Sequence, residues 1–456
     1  MNWLFFLFPF LLYLGIAVQG MSYYLIGILV PSLMFLFHRE KISSSFMKLG
    51  FLFLAIHVIF PLTNFLVYFF PNHLVDANLY QIQMTWPGIL KSNFPSTLFF
   101  GGLALVIIGF LSRRSSLALK ERPAFISKFE PLKYYLMGLV PASCFMLIML
   151  FYSHFTGLDL HTLFRSKLEY MTKADAFPTG GYRVFGFYGH PLTIAGVALA
   201  YVVFLWSIFC SILGSEDKIN WEFLFFRNNK LLTLFFLAFI TFSNLIFLFL
   251  SGGRTASVVG VAFLIAITFF FCIRKKFIVT IIVMALIAIG GVYGAKKLGL
   301  LNRIEATTSS LEKNRTLDGG NHRTEFWRTY THMFLDKPIF GQGSYWLQSG
   351  VRDSYYNKLG YGNSPEKFNA HNFYLETLAC VGVLGFLWVF IGFAFMYRLL
   401  KCQISFRPLG TAFFLAFLAN LCHGLTQNIY YDSSVVYIYI CLALVLLWES
   451  HKFTSS

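Results

Sequence analysis

The sequence predicts an all-α polytopic membrane protein with about twelve transmembrane helices and one large extramembrane loop that contains short helices. Of its 456 residues, 57% are hydrophobic and only 12% are charged. Apolar stretches of about 20 residues recur along the chain, and each can cross a hydrocarbon core of ~30 Å as a helix. Polar residues gather instead between these stretches, above all in residues 295–370. This distribution excludes an ordinary water-soluble domain.

The apolar segments also predict how the chain is oriented in the membrane. Their even number places both termini on one side, and basic residues cluster after the second, fourth, eighth and tenth segments. The positive-inside rule assigns those loops and both termini to the cytoplasm. The chain then divides into spans one to nine (1–294), an outward loop (295–370) and spans ten to twelve (371–456). The predicted segments are 3–18, 22–37, 48–70, 95–112, 134–153, 188–212, 231–250, 255–272, 277–294, 371–397, 409–428 and 433–449.

The net charge of +16 does not indicate a nucleic-acid partner. The basic residues lie mostly in short loops between spans, where their positions indicate the orientation of the chain among membrane lipids. No two of the seven cysteines form a Cys-x-x-Cys pair, which argues against a zinc site or a disulfide framework. No Asp-x-Asp pair occurs on the predicted outer side, so a metal-held diphosphate is not indicated either. We therefore expect neither a metal ion nor a cofactor.

The long outward loop is predicted to contain an amphipathic helix over residues 322–335. Four residues recur there at i, i+4, i+7 and i+11, which is the spacing of one helical face; they are Arg323, Trp327, Tyr330 and Phe334. Lys337-Pro338 would end the helix, and Gly341-Gln342-Gly343 would follow as a turn.

His371 and Asn372 lie where this loop re-enters the membrane. A histidine there can be neutral near pH 7 and accept a proton from an attacking hydroxyl. A structural interpretation is equally open, in which His371 is an interfacial residue and Asn372 caps the helix. Glu376 lies one turn further on, as either a functional ionisable group or a buried, hydrogen-bonded one. Gly382 and Gly385 are three residues apart, which indicates close helix packing.

Three arginines lie in breaks that the predicted topology places on the same side as His371: Arg183, Arg254 and Arg323. Arg254 follows Ser251-Gly252-Gly253 in a very short turn, and an arginine at that depth is unfavourable unless it meets an anion. Guanidinium groups suit phosphate oxygens, and the N-terminus of the following helix favours negative charge. Each could instead contact lipid headgroups or water. Their shared side favours an anionic, lipid-linked substrate.

The spacing His371-Asn372, nine residues, Gly382, two residues, Gly385 matches the pattern of a known family. On this motif the chain resembles the bacterial O-antigen ligase superfamily, which also includes many O-antigen polymerases. Further similarity lies in Ser251-Gly252-Gly253-Arg254, in Arg323-x-x-x-Trp327 and in Pro338-Ile339-Phe340-Gly341-Gln342-Gly343. Many members have serine immediately before the arginine, where this chain has Gly253.

The resemblance implies a metal-independent glycosyltransferase of the GT-C type at the periplasmic face of the bacterial inner membrane. Its donor would be a glycan on undecaprenyl diphosphate, and its acceptor a sugar of lipid A–core. The matching residues here would be His371 as catalytic base and Arg254 and Arg323 as diphosphate binders, with Arg183 as a further binder. Asn372 and Glu376 would support the site.

Two other functions remain open from the sequence. A polymerase of the same superfamily would take a second lipid-linked repeat as acceptor, and Arg165, Lys167 and Lys173 could bind its diphosphate. A polysaccharide transporter or flippase would hold its substrate near mid-membrane, whereas the polar groups here gather at one face. The His-Asn and glycine spacing favours the ligase.

Overall fold

The structure is a computed structural model, and it describes part of the chain. The described residues are 2–14, 43–70, 102–103, 105–106, 130–164, 168–172, 176–177, 180–188, 190–214, 229–272, 277–297, 323–343, 350–361, 369–403, 407–427, 435, 438–439, 442–443 and 445–446. Within these ranges the chain is helical apart from loops and two isolated β-bridges. The longer helices are α1 (Asn2–Leu14), α2 (Ser43–Phe69), α3 (Pro131–Thr156), α4 (Pro191–Gly214), α5 (Lys230–Leu250), α6 (Arg254–Cys272), α7 (Phe277–Lys297), α8 (Arg323–Asp336), α9 (Gly350–Lys358), α10 (Phe373–Gln403) and α11 (Arg407–His423).

Six of the described helices are long and apolar enough to cross a membrane, which confirms a multi-pass, all-α protein. Their apolar stretches are Met47–Val67, Leu132–Thr156, Pro191–Gly214, Lys230–Leu250, Arg254–Cys272 and Phe373–Leu399. Three shorter apolar helices accompany them: Phe5–Leu14, Ile281–Gly290 and Pro408–His423. The predicted span at 22–37 lies outside the described residues, and those at 95–112 and 433–449 lie largely outside them. The total of twelve spans and the GT-C architecture therefore stay predictions.

Helix α4 is the centre of the bundle. It is buried along almost its whole length and packs against α5, α6 and α11. Small residues in its first turns permit these close approaches. A Cβ on Gly196 would lie 2.8 Å from Val435, and the Asn420 side-chain amide donates to the Gly196 carbonyl over 3.1 Å. Several helix ends around α4 bear the predicted site residues, and they lie at one end of the bundle.

Helix α8 matches the bounds of the helix predicted from the sequence to within one residue, but of the predicted face only Tyr330 is buried. Phe326, Thr329, Tyr330 and Met333 form its buried face. Helix α9 packs beside it, and the Tyr355 hydroxyl donates to Asp336 over 2.7 Å. The described part of the long loop is therefore a small folded unit on top of the bundle.

A short loop after α8 enters a break in α10, at Gly382. This glycine has φ 64° and ψ −170°, so the helical ladder is interrupted there. Loop and helix replace the lost bonds with four others: Gln342 N to Ala379 O (2.8 Å), Gly343 N to Cys380 O (2.9 Å), Val383 N to Pro338 O (2.8 Å) and Leu384 N to Ile339 O (3.3 Å). Because backbone groups at membrane depth need partners, these bonds make the break tolerable.

The break corrects the helix-packing interpretation of Gly382. A Cβ on this residue would lie 2.3 Å from the Ile339 carbonyl oxygen, so the glycine admits a loop and not a neighbouring helix. Gly385 does lie at a helix contact, because a Cβ there would lie 3.2 Å from Ile59 of α2. The two glycines of the motif therefore have different structural roles.

Candidate functional site

The first part of the site, which we call the α4 side, consists of residues 180–188, 190 and 251–254. Tyr182 is held at the end of α3, since its amide donates to the His154 carbonyl and its carbonyl accepts from His154 Nδ1. The amide of Val184 then donates to the Leu250 carbonyl over 3.0 Å. These bonds hold the backbone on both sides of Arg183 against the ends of α3 and α5.

The Arg183 side chain lies across the glycine turn that precedes α6. Its Nε donates to the Ser251 carbonyl over 3.2 Å. Gly252 has φ 68°, and a Cβ there would lie 2.8 Å from Arg183 Nε. Glycine at this position therefore provides both the left-handed backbone and the room for the arginine.

Arg254 is the first residue of α6 and is half-buried. The turn before it is fixed by Ser251, whose hydroxyl donates to the Leu248 carbonyl and accepts from the Gly253 amide. A Cβ on Gly253 would lie 2.9 Å from Ala195 of α4, so the start of α6 is close to the first turn of α4. Two arginines and two helix N-termini therefore meet on the α4 side, an arrangement that suits a phosphate.

His190 immediately precedes α4 and was not identified from the sequence. Its Nδ1 accepts the Leu192 amide over 3.3 Å, so the neutral ring carries its proton on Nε2. One edge of the residue is exposed. Burial of the ring, followed by the nearby charges of His371 and Arg183, lowers the pKa of His190 below its ordinary value. His190 is therefore a neutral hydrogen-bond donor near pH 7.

The second part of the site, the α10 side, consists of the segment 369–373 together with Arg323, Phe326, Trp327, Glu376, Gly424 and Gln427. Its central residue, His371, has φ 46° and is the one non-glycine residue with positive φ in the described ranges. Such a conformation costs about 1–3 kcal/mol and persists where surrounding contacts enforce it, often at functional sites. The Phe373 amide donates to the Gly424 carbonyl over 2.8 Å and ties the strained segment to the end of α11.

Asn372 and Glu376 bond to the backbone around His371. The Asn372 side-chain oxygen accepts the amides of Tyr374 and Leu375, each over 3.0 Å, which confirms Asn372 as the cap of α10. Glu376 is 4% exposed, and its carboxylate accepts the Ala370 amide over 2.8 Å. Both side chains therefore hold the conformation of the His371 segment.

Helix α8 contacts the same segment from the other side. The indole N–H of Trp327 donates to the Ala370 carbonyl over 3.0 Å, and the Phe326 ring lies 6.0 Å from the His371 ring, centroid to centroid. Arg323 begins this helix one turn before Trp327, and the helix packs against α10. We therefore group the arginine with the α10 side.

The imidazole of His371 has a side-chain partner that the sequence did not indicate. Its Nδ1 lies 3.0 Å from the side-chain oxygen of Gln427, in the turn after α11. Of the sequence-predicted residues, Arg183 and Arg254 thus share the α4 side, and Arg323, His371, Asn372 and Glu376 share the α10 side.

Part of the chain is similar to a known protein family. Residues 234–390 match the family model described as O-antigen ligase, which confirms the resemblance found in the sequence. The matched stretch contains Arg254, Arg323 and His371, while His190 precedes it and Gln427 follows it. A comparison with curated proteins finds no match. Over residues 234–390 the chain is therefore similar to the O-antigen ligase family.

Proposed function

We propose that this protein of the O-antigen ligase superfamily transfers an O-antigen glycan from undecaprenyl diphosphate to a sugar of lipid A–core. The reaction would take place at the periplasmic face of the bacterial inner membrane, with both termini in the cytoplasm and without a metal ion or cofactor. One observation carries the proposal: residues 234–390, which contain Arg254, Arg323 and His371, match the O-antigen ligase family model. The cations and the candidate base that the reaction needs therefore lie within the matched stretch.

The arginines have a direct role in this reaction. A diphosphate is already a good leaving group, and the protein has to stabilise the negative charge that grows on it as the glycosidic bond breaks. Arg183 and Arg254 are fixed at the bundle end by the glycine turn, and Arg323 by α8. Preorganised guanidinium groups at a low-dielectric interface bind phosphate oxygens with little reorganisation.

His371 would act as the general base. The acceptor hydroxyl oxygen attacks the anomeric carbon, its proton passes to the imidazole, and the electron pair of the broken carbon–oxygen bond leaves with the diphosphate. Because the nucleophile and the leaving group occupy opposite faces of that carbon, the displacement inverts its configuration. General-base assistance is typically worth ~10²–10⁴ in rate.

The position of the polar groups favours an enzyme over a transporter. Transporters bind substrates near mid-membrane, often where helices are discontinuous. The described break at Gly382 is closed by the loop after α8, and the site residues lie at helix ends. The residues that could give a polymerase its second diphosphate site, Arg165, Lys167 and Lys173, lie outside the described part of the chain.

The experiment is a gel of surface polysaccharide from a strain that lacks this gene. The strain is complemented with wild type, with His371→Ala, or with the control Arg328→Ala. Arg328 is exposed on α8, with a 3.4 Å contact to the Tyr361 hydroxyl, so this control should restore the wild-type pattern.

With the gene absent or carrying His371→Ala, a ligase predicts bare-core lipopolysaccharide and a full-length glycan ladder that remains on the lipid carrier. Core capped with a single repeat would identify a polymerase instead. An unchanged ladder would contradict both functions.

A further inference from the structure

We propose that Gln427 is a positioning residue for the base His371: its amide oxygen accepts the Nδ1 proton, so that Nε2 of the neutral ring bears the lone pair that takes a proton from the acceptor. This inference rests on the proposed function for its chemistry. It goes beyond the matched family stretch, which ends at residue 390. The geometry that carries it is the 3.0 Å contact between Nδ1 and the Gln427 side-chain oxygen.

The proton position follows from the chemistry of the two groups. A carbonyl oxygen has lone pairs and no proton, so a hydrogen bond to it requires a donor. In a neutral imidazole one nitrogen donates and the other accepts. With Nδ1 as the donor to Gln427, Nε2 has the lone pair that a general base needs.

The turn that bears Gln427 is itself well ordered by backbone bonds. The Gly424 amide donates to Asn420 O over 2.9 Å, and the Thr426 amide donates to His423 O over 3.0 Å. The Gly424 carbonyl in turn accepts the Phe373 amide. The turn therefore fixes the backbone of the His371 segment and orients its imidazole at the same time.

An amide suits this position better than a carboxylate. A carboxylate beside Nδ1 would stabilise the charged imidazolium, whereas a neutral oxygen orients the ring without favouring its protonation. Among the described residues, the charged or titratable groups on the surrounding elements include His190 before α4, Arg323 and Glu325 on α8, Glu376 on α10 and His423 on α11. Gln427 contacts the Nδ1 atom itself.

The first test measures glycan transfer by the purified full-length protein in nanodiscs, using undecaprenyl-diphosphate-linked glycan as donor. Gln427→Met keeps the length of the side chain and removes the hydrogen-bond acceptor. We expect kcat to fall by about 10–100-fold with little change in KM, which is the size of effect seen when hydrogen-bond partners of metal-ligating histidines are removed. Gln427→Glu should retain activity, and its acidic limb should move to higher pH by about one unit because the new charge favours the imidazolium. The control is Leu425→Ala, at an exposed position in the same turn, which should leave kcat and the pH profile unchanged.

The second test measures the tautomer directly and does not need activity. In protein labelled with ¹⁵N-histidine, the His371 signals are assigned by their loss in His371→Gln. We expect a proton on Nδ1 in wild type and a mixture of tautomers in Gln427→Met. A proton on Nε2 in wild type, or wild-type kcat and pH profile in both Gln427 variants, would overturn the inference. Failure of wild type to transfer glycan would contradict the proposed function, while the spectrum would still decide the proton position.

Discussion

The two sides of the site hold their functional groups by different means. The α4 side relies mainly on backbone groups. A short glycine turn precedes α6, the Val184 amide donates to the Leu250 carbonyl, and the Ser251 carbonyl accepts a hydrogen bond from the Arg183 side chain. On the α10 side, Asn372, Glu376, Trp327 and Gln427 use their side chains to fix one strained segment.

This difference corresponds to what each side has to do in the proposed reaction. Guanidinium groups keep their charge throughout, so they need to be placed near an anion but not oriented for proton transfer. A base must present one particular nitrogen lone pair to the acceptor. We infer that the additional contacts on the α10 side serve to orient His371, whereas the α4 side needs only to place its cations.

The largest expected effect is on the α10 side. In purified protein, His371→Ala should lower kcat for glycan transfer by ~10²–10⁴ because it removes the general base. Binding of the donor should change by only a few-fold, since the arginines remain. The measurement is a transfer time course together with a donor-binding isotherm. If the variant transfers glycan at the wild-type rate, His371 is not the base.

A smaller effect is expected from the cations. Arg323→Ala should lower kcat/KM for the lipid-diphosphate donor by about 10–100-fold, because one charge-assisted contact to the leaving group is lost. Arg328→Ala, on the same helix but exposed, is the matched control and should stay within about two-fold of wild type. Equal losses in the two variants would mean that Arg323 contributes only to the general positive charge of the loop.

The smallest effect on the rate is expected from substitution of His190, and its pH dependence distinguishes this residue from His371. His190→Gln keeps a side-chain N–H donor, so the rate should fall by no more than about ten-fold. Because burial and its cationic neighbours lower the pKa of His190, this ring is already neutral near pH 7 and gains a proton only at lower pH. The acidic limb measured between pH 6 and 8 should therefore not move. A displaced limb in the pH–rate profile would show that His190, and not His371, titrates there.

Sequence patterns predicted the parts of the site that depend on local chemistry. The spacing of Arg323, Trp327 and Tyr330 predicted α8, and Asn372 before an apolar run predicted its role as a cap. His190 and Gln427 were missed because each is a single polar residue at the end of an apolar span, without a periodic or spaced partner. Their roles arise from contacts with residues distant in the sequence.

The break in α10 shows that, for the fold too, sequence patterns did not predict contacts between residues distant in the sequence. Residues 373–399 form a largely apolar run with no proline, and two glycines three apart are typical of helix packing. The interruption at Gly382 is stable only because residues 338–343 supply amides and carbonyls from about forty positions earlier in the chain. Local propensity carries no information on such a partner.

By itself, the sequence determined that the chain is a multi-pass helical membrane protein, which of its loops bear charge, and which motif resembles that of the O-antigen ligases. These follow from hydrophobicity and short-range spacing, which act within about one turn or one span. The tertiary structure decided that Arg183 lies across the Gly252 turn, that His371 adopts a left-handed conformation, and that Gln427 contacts its imidazole. These features depend on which helix ends pack together, and that is set by the burial of whole helices such as α4.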